Sequence, residues 1–109
     1  MAYNETLAAR VRNALGQPPG LEEKRMFGGV GFMVRGNMAC GVNGNDLIVR
    51  VGPDAYEAAL AQAVTRPFDM TGRPMRGWIV VRPEGYAADV DLSAWVQRGL
   101  DFALTLPPK

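Results

Sequence analysis

The stretch EKRMFGGVGFMVRGNMACGV, residues 23–42, places five glycines and three methionines in twenty positions. Glycine at this density lets a backbone come close to a phosphate, or lets a sheet bend and pack tightly. The phosphate alternative makes demands that the neighbouring residues do not meet. A dinucleotide fingerprint needs G-x-G-x-x-G between a strand and a helix. Gly29-Val30-Gly31 begins one, but Val34 stands in the third glycine's place and no helical pattern follows. A phosphate loop would end in Gly-Lys-Ser/Thr, whereas Lys24 precedes the glycines. The stretch reads as sheet architecture, with a glycine-lined pocket or partner groove as the alternative. A period of two puts Met26, Val30, Phe32 and Val34 on one face and Phe27, Gly29, Gly31 and Met33 on the other. The glycine face is expected to lie beneath a helix or another backbone.

Working outward, Arg35-Gly36-Asn37 reads as a tight turn, and Asn43-Gly44 is a strong hairpin signal. With LIVRV at 47–51 these segments form an antiparallel meander of three strands. Upstream, Leu7, Val11 and Leu15 make one helical stripe over 4–15, with Asn4 as its N-cap and Gly16 as its stop. Downstream, Gly52-Pro53-Asp54 opens a helix whose buried stripe is Tyr56, Ala59, Leu60, Ala63 and Val64. A second hairpin occupies 66–83 and turns at Thr71-Gly72-Arg73-Pro74, with Phe68 and Met70 on its first arm. A last helix, capped by Asp91, turns Leu92, Trp95, Val96, Gly99, Leu100, Ala103 and Leu104 inward. The order α-β-β-β-α-β-β-α predicts a two-layer α+β fold, its helices packed on a mainly antiparallel five-stranded sheet. At 109 residues, 1–109 is expected to be a single domain.

Composition narrows the function classes. Net charge is +1, so no strong global field draws the chain to nucleic acid or membranes. Histidine is absent and Cys40 is the one cysteine, which excludes an intramolecular disulfide and the zinc sites built from Cys and His pairs within one chain. Cys40 lies among Ala39 and Gly41 with no basic neighbour, as a small buried hydrophobe does. Asp89 and Asp91 read as a cap and a surface acid. No catalytic residue, cofactor or metal is expected, and the protein is read as non-enzymatic. No apolar run approaches bilayer length, which fits a cytoplasmic protein without a membrane partner.

Arg66, Arg73, Arg76 and Arg82 fall within seventeen residues, opposed there only by Asp69, and Met75 sits among them. This hairpin is the candidate contact surface for a protein partner, since arginine beside methionine typifies interaction surfaces. The alternative is nucleic acid, with phosphates on the arginines and a base on Trp78. A weaker alternative is a small-ligand sensor with a pocket beside Phe27, Gly29 and Gly31.

KRMFGGVGFMVRGNMACGV, LIVRVGPDAYEAALAQ, MTGRPMRGWIVV and LSAWVQRGLDFA, in that order, resemble the N-terminal domain of the TfoX/Sxy family, from about Leu7 to Ala103. The most telling part is Arg25-Met26-Phe27-Gly28-Gly29, followed by a hairpin, a proline-opened helix and the Gly-Arg-Pro-Met hairpin. The resemblance implies a two-layer α+β fold and a family named for regulators of natural competence, thought to act beside the cyclic AMP receptor protein. It implies transcription machinery as the setting for a protein partner, and no catalytic residues. A homodimer is compatible with it. The second, helical domain of full-length members has no counterpart in these 109 residues, so a stand-alone N-terminal domain is expected.

Overall fold

The first helix forms where a capping residue meets an apolar stripe. Asn4 accepts a hydrogen bond from the Leu7 amide through its side chain (3.0 Å), and Leu7, Ala8, Val11 and Leu15 are buried along α1, Glu5–Leu15. Gly16 ends it with a positive φ of 67°. The computed structural model describes residues 3–26, 28–69, 72 and 74–109. The expectations placed on Phe27, Met70, Thr71 and Arg73 fall outside these residues.

Six strands follow, not five: β1 Leu21–Met26, β2 Gly29–Val34, β3 Asn37–Asn43, β4 Asp46–Arg50, β5 Thr65–Asp69 and β6 Pro74–Val81. The added strand is β1. Its LEEKRM sequence is mostly exposed, as suits an edge strand whose charges discourage further pairing. It pairs antiparallel with β2, Lys24 opposite Gly31 and Met26 opposite Gly29. The extended run expected over 26–34 is therefore a hairpin, and Met26 does not share the Phe32 face. Gly28, with φ 76°, lies in the connection. The strand order is β1-β2-β3-β4-β6-β5, and every pairing is antiparallel.

The turns follow their residues. Arg35 (φ 53°) and Gly36 (φ 83°) form the β2–β3 connection, and two successive positive φ values suit the right-handed twist of a hairpin. A bulge between Phe32 and Met33 then shifts the β2–β3 register, so that Met33 opposes Met38 while Phe32 opposes Cys40. The helix opened by Pro53 is short, α2 Tyr56–Leu60, and leaves Ala63 and Val64 outside it. A further turn, α3 Pro83–Tyr86, precedes α4, Asp89–Leu104. Helix α4 starts two residues before the expected cap: Ala88 is its N-cap and Asp91 lies in the first turn, where a carboxylate meets the helix dipole. Leu104, expected inward, is exposed.

All four helices cover one face of the sheet. Phe32, Cys40, Val42, Val49, Ile79 and Val81 join residues of α1, α2, α3 and α4 in a single buried cluster. The closest approach is at Gly99, where a Cβ would collide with the Ala39 carbonyl oxygen of β3. The opposite face carries Gly31, Gly41, Ile48, Arg50 and Trp78, and no helix lies over it among the described residues.

The glycines of the opening stretch divide accordingly. At Gly29 a Cβ would strike the Val42 carbonyl oxygen, the close backbone approach that was expected. At Gly31 it would meet only the thioether ends of Met26 and Met38, at 3.2–3.4 Å, and no helix. Gly99→Val should therefore destabilise by about 1–3 kcal/mol through overpacking against backbone. Gly31→Ala should cost less than about 1 kcal/mol, because methionine tips move aside. Urea denaturation of both variants checks this; equal losses would place the critical contact elsewhere.

Candidate functional site

Two glycines lie side by side on the bare face. Gly31 of β2 and Gly41 of β3 are direct cross-strand partners, leaving a depression in the sheet. The methyl of Met38 folds over it, where a Cβ on Gly41 would come within 2.7 Å, and Met26 reaches in from β1. Met33 and Ile48 continue the apolar floor on either side. Phe68, Met75 and Trp78, from the β5–β6 hairpin, form the far wall. Together they enclose an open hollow of about 300 Å³.

The other end is closed by the C-terminal residues. The buried Asn37 side chain donates to the Pro107 carbonyl (2.9 Å), and the Lys109 amide donates to the Arg35 carbonyl (2.8 Å). Gly36 and Lys109 thereby come to line the hollow.

Arg50 is the charged group within the aromatic wall. Its guanidinium carbon lies 5.0 Å from the Trp78 ring centroid and 5.5 Å from that of Phe102, within cation–π range of both. Phe102 reaches this position from α4 because Gly52, at φ 88°, has no side chain; a Cβ there would run into the ring. Trp78 is in turn 6.2 Å from Phe68, tilted by 43°. Burial pushes the Arg50 pKa down. Among the described residues no hydrogen bond or ion pair reaches its guanidinium, and no carboxylate lines the hollow.

The hairpin residues singled out from the sequence are dispersed. Arg66 pairs with Asp46 at 2.6 Å on β4. Arg76 faces Glu57 of α2 at 3.6 Å and stacks over Tyr56, on the helical side. Arg82 is exposed and precedes α3 as its N-cap. Met75 alone of the described members lines the hollow. In the opening motif, Arg25 lies 6.0 Å over the Tyr3 ring, while Met26 and Gly29 line the hollow.

Ile48, Arg50 and Phe68 carried no functional weight in the sequence reading. One signal was available. Alternation in LIVRV puts Ile48 and Arg50 on the face away from Leu47, Val49 and Val51, and an arginine flanked by buried valines marks a face that meets something other than core. Trp78 was weighed as a nucleic-acid stacker or core filler; it is half-buried on the bare face beside Arg50.

Residues 13–103 match the family model of the TfoX N-terminal domain. The chain belongs to that family. The match runs from within α1 to the penultimate residue of α4, so it takes in the whole sheet and both faces of it. A search of curated proteins and of solved structures returned no match. No helix of the described residues is long and apolar enough to cross a membrane.

This TfoX N-terminal domain keeps its thiol on the helical side. Cys40 is fully buried, and desolvation raises its pKa from 9.0 to about 12. The folded chain thus holds a proton that the unfolded chain releases between those values, so stability falls as pH rises from about 9 toward 12. Native protein should react slowly with a thiol reagent at pH 8 and rapidly in denaturant. Fast native labelling would show that Cys40 opens to solvent.

Proposed function

We propose that this TfoX N-terminal domain is a non-enzymatic regulatory module that holds a small amphipathic molecule in the methionine-lined hollow and transmits its occupancy through protein contacts. One observation carries this reading: four of the chain's six methionines line a single hollow on the face that no described helix covers. Methionine is unbranched, polarisable and adaptable, which suits a surface that closes around a guest. A volume of about 300 Å³ lies at the lower end of the range for small-molecule pockets. The hollow is bounded by the C-terminal residues and by the aromatic wall.

The lack of histidine and the burial of Cys40 support a binding role over catalysis, since the chain has no imidazole base and its one thiol is not exposed. The regulatory setting rests on the family resemblance, with competence-type transcriptional control as the context. The exposed Met75 stands at the rim and contributes to the protein-contact surface, where an occupied hollow would alter what a partner meets. Arg66 and Arg76 each face a carboxylate, which favours protein over nucleic acid as that partner.

Protein labelled at the methionine methyl carbons, screened by NMR against a library of aromatic and alicyclic fragments, tests the binding role. Binders should shift the Met26, Met33 and Met38 methyls together, and Met33→Gln should weaken them about tenfold at unchanged stability. Binders that leave these three methyls unmoved, or a library with none that shifts them, would overturn the reading.

A further inference from the structure

We infer that Arg50 is the anchor of the hollow, and that the ligand is a small molecule with a single carboxylate on a ring or branched apolar body. This inference rests on the reading of the hollow as a small-molecule site and adds the chemistry that the site selects.

A guanidinium carries five N–H donors in a planar fork and stays charged. In most folds a partly buried arginine spends those donors on a carboxylate or on carbonyl oxygens. Arg10 of this chain does both: it contacts Asp89 at 2.9 Å and the Tyr86 carbonyl at 2.8 Å. Arg50 does neither among the described residues, although burial already disfavours its charge. What holds it is the pair of aromatic faces, Trp78 on one strand and Phe102 on α4. Ring faces fix the plane of a guanidinium while leaving its in-plane N–H edge unused. The edge is thus oriented before any ligand arrives, which lowers the ordering cost of binding.

The surroundings choose the anion. Among the described residues the only other ionisable side chain lining the hollow is Lys109, and no acid competes for Arg50 there. One planar fork matches one carboxylate in two parallel hydrogen bonds. A phosphate needs more donors than this wall offers, and the remaining lining is dominated by methionine, isoleucine and aromatic carbon. The ligand's body then lies against the Met26, Met33 and Met38 side chains, whose thioether ends fill the space over Gly31 and Gly41.

The test compares 2-naphthoate with 2-naphthalenemethanol, equal in shape but different in charge, by calorimetry and methionine-methyl NMR on the whole chain. The carboxylate should bind at least about tenfold more tightly than the alcohol, as expected for a charged hydrogen bond. In Arg50→Gln that advantage should vanish while alcohol binding persists, and Arg50→Lys should recover only part of it. Equal affinities of the two probes for the wild type, with the Met26, Met33 and Met38 methyls shifted by both, would overturn the role of Arg50 and leave the hollow as the binding site. An advantage that survives Arg50→Gln would overturn it likewise. If neither probe moves those methyls at millimolar concentration, both this inference and the site on which it rests fail. The comparison of probes on unaltered protein stands even if the Arg50 variants fold poorly.

Discussion

The separation between α4 and β3 is the dimension on which the rest of the structure depends. A helix normally stands about 10 Å from a sheet because side chains fill the gap. At Gly99 the helix has no side chain to place there, and its backbone comes down onto the Ala39 carbonyl. That contact seats α4 so that Trp95, Val96, Leu100 and Ala103 all reach the same buried cluster as Phe32, Cys40 and Val49. It also gathers the helical layer on one side. With α1 packed against α4, and with α2 and α3 closing over β5–β6 and β4, a sheet of six strands has one face filled and one left to its own side chains.

Those side chains are unusual for a face meeting water. An antiparallel sheet with one covered face commonly alternates apolar inside and polar outside. Here β1 turns Glu22 and Lys24 to the bare face, whereas the strands beyond it turn Met33, Met38, Ile48 and Trp78 outward. The result is a sheet with two apolar sides, differing in kind. The helical side is made of branched residues in fixed rotamers, and the bare side is made of glycines and flexible thioethers. Rigid packing on one side gives the other a stable floor, and among the described residues Arg50 supplies the only guanidinium lining the hollow.

Much of this was legible in the residues. The cap at Asn4, the stop at Gly16 and the Asn43-Gly44 turn act locally, so their neighbours alone decide them. The α+β class followed from the change of period between helices and strands. Strand β1 was missed because LEEKRM shows no alternation: an edge strand needs no buried side, and its fold-specific information is in the partner, not in the strand. The start of α4 at Asp89 was missed because Asp91 resembles a cap, while Ala88 caps the helix with its backbone alone. The hollow was half legible. Alternation grouped Gly29, Gly31 and Met33, but Ile48, Trp78 and Phe68 join them only through the order β3-β4-β6-β5, which no local pattern encodes.

That strand order carries a kinetic consequence. Every pairing but β4–β6 joins strands consecutive in the chain, so the meander that bears Gly31, Gly41, Met38 and Ile48 closes only short loops. The helical layer is the opposite case: α1 meets α4 across most of the chain, and Arg10 reaches Asp89 over a separation of 79 residues. Closing the larger loop costs more chain entropy, and releasing it returns more. Non-local contacts of this kind slow folding. The cross-strand pairs that shape the hollow thus demand less chain entropy than the docking of α1 on α4 at the back of the sheet.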